Sequence, residues 1–410
     1  MTTRSLALAA AVVATVLLAG CTGVPLLDDG DDFDAVWHSD TPANPGGTHH
    51  PAIATRIDGE AYIATGFGDV GANRSCSFVV LNGTGGVRWN ESLPTDACGT
   101  QPVGDPAFGD VTGDGAPEVV WATHEQRLYA SNPRTGAEVL NVSFPSGVPF
   151  AQLVVVEDPT LVVVPLMAGQ VRAYHPNGTL AWNRTFPDYV RGQGPALVTR
   201  EGGARELVLG TGGGLVALDP TTGETDWRTE TPTRFLRTGR LGDTEVVVAS
   251  GANAAGTAGE GDTHVEAVAA NGTRLWERHY PGTPAVGAVG APAPGARTLA
   301  YATNDDGRLY AYDLASGREV WNRTLDEERR YVPPPTLADL DGDGDEEVVA
   351  AAAYGPVSAF NASTGAPVGT WSWDGDAAIW AGLRSADVDG DGDEEVLAVT
   401  TDAQVVALGD

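Results

Sequence analysis

Two stretches of the chain place carboxylates at every second position of a glycine-bearing loop. In one, Asp339, Asp341, Asp343 and Asp345 are followed by Glu347; in the other, Asp387, Asp389, Asp391 and Asp393 are followed by Glu395. Alternate residues of a tight loop turn their oxygens toward one centre, and a hard cation such as Ca²⁺ takes about six to eight oxygen ligands. Gly342 and Gly344 supply the backbone freedom that such a curl needs. Without a cation the same spacing is a cluster of like charges, or else a solvated acidic turn. A fainter copy, Asp110, Asp114 and Glu118, keeps the first, fifth and ninth positions but carries Thr112 at the third and Ala116 at the seventh. Two calcium ions are therefore expected, and a third only if that reduced set suffices.

Each loop lies between a short strand-forming run and a strongly apolar one, as in "PTLADLDGDGDEEVVAAAA". The start of the loop resembles an EF-hand, but the twelfth position is Ala350 rather than a bidentate Glu, and the flanks read as strands. The better resemblance is to the calcium hairpin of the FG-GAP repeat in integrin-type propellers. Phe108 and Gly109 supply part of the FG signature beside the third loop. That resemblance implies a backbone carbonyl ligand at position seven, a carboxylate at position nine, and ions that stiffen inter-strand turns on one rim.

Other chemistry is sparse. There is no C-x-x-C-H, no nucleophile elbow and no H-E-x-x-H. Of the seven His, only His49 and His50 are adjacent, just before the run "PAIATRI"; a rim-loop role is expected, with metal or acid/base work as the alternative. Cys76 and Cys98 are expected to form a disulfide, because paired thiols in an exported protein are usually bridged. Neither their spacing nor their neighbours suggest zinc.

The chain carries 55 acidic against 24 basic residues, a formal charge of −31, and no Lys. Such a field repels phosphate backbones, so nucleic acid is excluded as a partner. The composition resembles that of proteins from extremely halophilic archaea. At the N-terminus one Arg precedes an apolar run from Leu6 to Leu18, too short to span a bilayer and typical of a signal-peptide core. Leu18-Ala19-Gly20-Cys21 resembles a lipobox, which would make Cys21 the lipidated first residue of an extracellular protein held on the cell membrane. An ordinary secretory signal is the alternative. Residues 22–32 then read as an acidic tether. Nine N-x-S/T sequons occur, and three of them, at Asn90, Asn183 and Asn322, directly follow a Trp, which points to one recurring position on an exposed strand.

The tryptophans set a period. Trp37, Trp89, Trp182, Trp227, Trp276, Trp321 and Trp371 recur at about 48 residues if Leu140 fills the gap before Trp182. Hairpins such as "LVALDPTTGETDW" and "LYAYDLASGREVW" precede them, and each unit reads as a four-stranded antiparallel meander, the size of one propeller blade. The C-terminal "AQVVALGD" lacks a last strand, and "DFDAVWHSD" supplies one. The expected fold is all-β: an eight-bladed propeller over residues 33–410, closed by the N-terminal strand joining the C-terminal blade.

The pattern Ala217, Asp219, Gly223, Trp227, repeated as Ala311, Asp313, Gly317, Trp321, resembles the tryptophan-docking repeat of pyrroloquinoline-quinone-type propellers. That family includes quinoprotein dehydrogenases and the non-enzymatic lipoprotein of the bacterial outer-membrane assembly machine. The dehydrogenases resemble one another in an adjacent Cys-Cys pair, which this chain lacks, so no pyrroloquinoline quinone is expected. The resemblance implies a lipid-anchored, non-enzymatic scaffold that meets a protein or an envelope glycan through one propeller face. Calcium-dependent adhesion is the second reading, and a quinoprotein-type extracellular oxidoreductase is the third.

Overall fold

The computed structural model describes residues 33–41, 50–68, 76–94, 103–190, 193–252, 263–279, 282–325, 332–373 and 377–409. Among them every regular element is a strand, and the strands form eight four-stranded antiparallel sheets. Seven sheets are uninterrupted meanders; blade 1, for example, runs through Ile53–Ile57, Glu60–Gly68, Cys76–Asn82 and Val87–Leu93. Blade 8 is composite. Arg384–Ala386, Glu395–Val399 and Val405–Gly409 come from the C-terminal end, and Asp34–His38 completes the sheet, with Trp37 opposite Ala407. The sheet expected from the two chain ends is thus present.

Blades pack face against face, which is why their inner strands do not alternate. Glu118–Thr123 and Glu347–Ala351, the second strands of blades 2 and 7, are buried along their whole length, because a neighbouring blade covers each side. Outer strands such as Val87–Leu93 remain largely exposed. Eight apolar clusters result, each drawing residues from two neighbouring blades.

The tryptophans join these blades. In the fourth strands of blades 1, 3, 4, 5 and 6, each indole N–H donates to a carbonyl in the outer hairpin of the next blade: Trp89 to Pro133, Trp182 to Pro220, Trp227 to Ala270, Trp276 to Leu314 and Trp321 to Ala362, at 2.6–3.0 Å. Each ring also covers the positive-φ glycine of that hairpin. A Cβ on Gly223 would stand 2.6 Å from the Trp182 ring, and one on Gly317 would stand 2.5 Å from Trp276. The Gly and Trp of one sequence motif therefore serve two different junctions. Blade 2 has Leu140 in this register, opposite Ala130.

Trp371 departs from the spacing. In blade 7 it is Gly369 that pairs with Ala359, the register held by Trp elsewhere, and the Phe33 side chain packs against that glycine. Trp371 lies two residues further on, opposite Val357 and beside His38 and Trp373. A spacing of 50 residues cannot distinguish the docking position from one two residues away on the same face of a strand.

The first strands of neighbouring blades touch and wall the central channel. They all run in one sense, so their starts share one face of the ring, here the entry face, and their ends share the opposite, exit face.

Candidate functional site

All three acidic loops follow first strands and lie on the exit face, in blades 2, 7 and 8. Their carboxylates are arranged differently. In blade 7 the ligand atoms of Asp339, Asp341 and Asp343 lie within 4.8 Å of one another. The loop curls through its own side chains: Asp339 Oδ2 accepts from Gly344 N at 3.1 Å, Asp341 Oδ1 from Asp343 N at 3.2 Å, and Asp343 Oδ1 from Asp345 N at 2.7 Å. Asp339 Oδ1 is buried and, among the described residues, meets no hydrogen-bond donor. Glu347, 6% exposed, opens the next strand and accepts from Leu340 N at 3.4 Å.

In blade 8 the converging set is Asp387, Asp389 and Glu395, again within 4.8 Å. Glu395 accepts from Val388 N at 2.8 Å, while Asp391 N donates to Asp389 and Asp393 N to Asp391. In blade 2 no such trio converges among the described residues. Asp110 spends both oxygens on the N–H groups of Gly113, Asp114 and Gly115, and Glu118 accepts from Val111 and Thr112. The third loop is satisfied by its own backbone.

Electrostatics separate the loops further. Burial pushes Glu347 up to about 7; the Leu340 N–H opposes this, and Asp341, Asp343 and Asp339 add to it. Glu395 is likewise held at about 7 by burial, against the Val388 N–H and with the fields of Asp389 and Asp391. Glu118 is raised as well, chiefly by burial. A carboxylate that is buried among like charges and has an unmet oxygen beside it is a donor set suited to a divalent cation. The residues of blade 7 fit calcium on that ground; in blade 8 the convergence of Asp387, Asp389 and the raised Glu395 suits a cation, but Asp387 Oδ1 already accepts from Arg56 and Gly390.

The two loops are also neighbours. Glu394 N donates to the Asp339 carbonyl at 2.8 Å, and Ser385 Oγ to the Leu337 carbonyl at 2.7 Å. A Cβ on Gly342 would collide with the Asp393 carboxylate. Burial and the fields of Asp391, Asp339 and Asp341 raise Asp393, and Glu346 is pushed up to about 6 by burial, Glu394 and Asp339. Sequence reasoning missed Arg56, from the first strand of blade 1, whose Nη1 lies 3.0 Å from Asp387 Oδ1 and 3.1 Å from its carbonyl. No local pattern links those positions. It also missed a second inter-blade latch, for which W-x-R was the available signal. Arg184, Arg278 and Arg323 each donate two bonds to the next hairpin, at Gly223 and Thr222, Gly317 and Ser316, and Gly365 and Thr364.

Cys76 is disulfide-bonded; Cys98, Cys21 and His49 lie outside the described residues. Several sequons have a local structural role: Asn82, Asn177, Asn271 and Asn361 each accept from a residue two or three positions on, closing their hairpin turns. Asn90, Asn183 and Asn322 lie on fourth strands.

The family described as outer membrane protein assembly factor BamB matches residues 80–261 and 261–409. The chain belongs to this family. Among solved structures, BamB from Moraxella catarrhalis is similar at 15% identity, with a TM-score of 0.59 over 87% of this chain and 94% of that one. Sqt1 from Saccharomyces cerevisiae gives a TM-score of 0.65 at 12% identity, over 92% of this chain and 98% of its own. BBS1N, crystallised in complex with ARL6DN, gives 0.52 at 12% identity, over 74% and 91%. Identities this low show a shared fold alone. No curated protein matches the sequence.

Proposed function

We propose that this BamB-family propeller is a binding scaffold without catalytic turnover, stiffened by calcium at the loops of blades 7 and 8, that holds a protein or envelope-glycan partner against one face of its ring. The observation that supports the calcium reading best is the buried, donorless Asp339 Oδ1 beside Asp341 and Asp343. The partner reading is supported by family membership and by the complex named for BBS1N. In this proposal Cys21 carries a lipid that keeps the ring at the outer surface of a cell membrane, and the acidic surface serves solubility in high salt.

The test is calcium stoichiometry with thermal unfolding in molar salt, before and after chelation, together with crosslinking of the surface-displayed protein to its neighbours. The scaffold reading expects about two ions per chain, a lower melting temperature on chelation, and partner crosslinks that persist until the ring unfolds. A second reading, calcium-dependent adhesion, is favoured by the exposure of the joined loops on one face; it expects crosslinks to vanish on chelation while the ring remains folded. Calcium-free protein of unchanged stability overturns both. The anchor is tested separately: Cys21→Ala should move the protein from the detergent phase to the aqueous phase.

A further inference from the structure

The exit face carries a groove of about 1060 Å³ between blades 4 and 5. One wall is the hairpin between the first two strands of blade 4, Ala196–Thr199 and Arg205–Thr211. The other is the equivalent hairpin of blade 5, between Phe235–Leu241 and Thr244–Ala252. Arg200, Glu201, Arg240, Asp243 and Glu245 line it, and it reaches the outer hairpin of blade 5 at Asn271, the first residue of the sequon Asn271-Gly272-Thr273. The lining charges are already matched. Arg240 Nη1 donates to Glu245 Oε1 at 3.1 Å, Thr199 N donates from the opposite wall to Glu245 Oε2 at 2.6 Å, and Arg200 Nε lies 2.7 Å from the buried Glu206. The groove thus offers donors and acceptors with no guanidinium left over for an anion, a surface suited to hydroxyl groups, which donate and accept in turn. Its volume lies at the upper end of the range of ligand clefts, about 300–1,000 Å³, which is room for a short chain of rings.

Asn271 stands at the edge of this groove on a hairpin held from both sides. Ala270 N donates to Glu245 O at 3.0 Å, Ala270 O accepts from the Trp227 indole of blade 4 at 2.9 Å, and Gly272 N closes the turn on Ala269 O at 2.8 Å. The Asn271 side chain is exposed. Its Oδ1 accepts from Thr273 N at 3.0 Å, and among the described residues Nδ2 donates to no protein atom. Other sequons differ. Asn141 and Asn322 point Nδ2 at the carboxylates of Glu138 and Glu319, at 2.8 and 2.5 Å, while their Oδ1 atoms accept from Arg127 and Arg308. Asn82 and Asn361 are half-buried. A sequon alone is a short pattern that arises by chance. At Asn271 an exposed, uncommitted amide coincides with a polar groove that begins at the same residue.

We propose that Asn271 is N-glycosylated and that the first sugars of its glycan lie along the groove between blades 4 and 5. The co-substrate is a glycosyl phosphate, presented by a transferase of the cell. Its C1–O bond breaks with the electron pair leaving on the phosphate oxygen, the C1–Nδ2 bond forms, and one Nδ2 proton passes to a base of the transferase. Once attached, the sugars bind the groove as a tethered ligand, so weak hydroxyl contacts suffice to seat them. The site does not involve the calcium loops, which belong to blades 7 and 8. It rests only on export of the chain, which the scaffold reading also assumes.

The test is mass spectrometry of peptides from the full chain, purified from the cells that make it, combined with hydrogen exchange of the folded protein. The peptide holding Asn271 should carry a mass increment of sugar residues. That increment should be lost in Asn271→Gln and in Thr273→Val and kept in Thr273→Ser, which retains the sequon hydroxyl. Amide exchange in residues 199–204 and 241–245 should be severalfold slower in the glycosylated protein than in Asn271→Gln, because seated sugars cover both walls. Thr273→Val supplies the same comparison should Asn271→Gln not fold. An unmodified Asn271 in exported, folded protein overturns the proposal and leaves the scaffold reading standing, whereas a chain found only inside the cell removes the basis of both. An increment on Asn271 with unchanged exchange at both hairpins also overturns it, since the glycan then stands clear of the groove.

Discussion

The amide of Glu394 donates to the carbonyl of Asp339 at 2.8 Å, so the acidic loops of blades 7 and 8 are one continuous segment of the exit face. Ion binding at one loop should be felt at the other. In a double-mutant cycle of Asp341→Ala and Asp389→Ala, calcium titration and thermal unfolding should give a coupling of about 0.5–3 kcal/mol. Additive losses would mean that the shared backbone bond transmits nothing.

Arg56 holds Asp387, which a cation in blade 8 would need. The pair is about one-third exposed, so its worth is that of a screened ion pair, ~1 kcal/mol at most. Arg56→Gln should therefore tighten calcium at that loop by up to about fivefold and leave blade 7 nearly unchanged. Weakened binding at blade 8 would instead make Arg56 a support of the loop.

Two positive-φ glycines separate backbone strain from docking. A Cβ on Gly344, at φ 86°, would have no neighbour within 4 Å, whereas one on Gly365, at φ 67°, would stand 2.7 Å from the Trp321 ring. Gly344→Ala should cost roughly 1–2 kcal/mol of stability, the left-handed penalty alone. Gly365→Ala should cost about 3–5 kcal/mol, comparable to Trp321→Ala, because the ring must leave its slot. Denaturant midpoints of the three variants check this, and equal losses for both glycines would show that the tryptophan slot is soft.

Glu266 is fully buried beside Arg274, Nε to Oε2 at 2.8 Å, and burial pushes it up to about 7 despite that arginine. Glu206, beside Arg200, is also held at about 7 by burial and by Asp226. A raised carboxyl pKa means that the folded state binds more protons than the unfolded chain. The contribution to stability is thus complete below about pH 4.5 and is lost as pH rises through about 7. Glu266→Gln should flatten this part of the stability–pH curve, measured by thermal unfolding between pH 5 and 8. An unaltered slope would assign it to other groups.

Eight blades were legible because the hairpin and the Trp that follows it recur as one short sequence segment, although each Trp docks on the hairpin of the next blade. Ring closure was legible because Val405–Gly409 lacks a partner that Asp34–His38 resembles. What escaped depends on distance through space. Arg56 meets Asp387 only after the ring closes. Trp371 misled because a strand repeats its facing every two residues, so Gly369 and Trp371 offered equivalent slots.

Blade 8 has a consequence for how the molecule comes into being. Its four strands are assembled from opposite ends of the polypeptide, and Ala35 must find Leu408 across nearly the whole contour of the chain. The nascent polypeptide can stack its first seven blades in order as each emerges, but their terminal edges stay open until the last strand has been synthesised. Locking the ring is thus the slowest search and the final event, and any species stalled before it carries two unpaired edges able to join another chain.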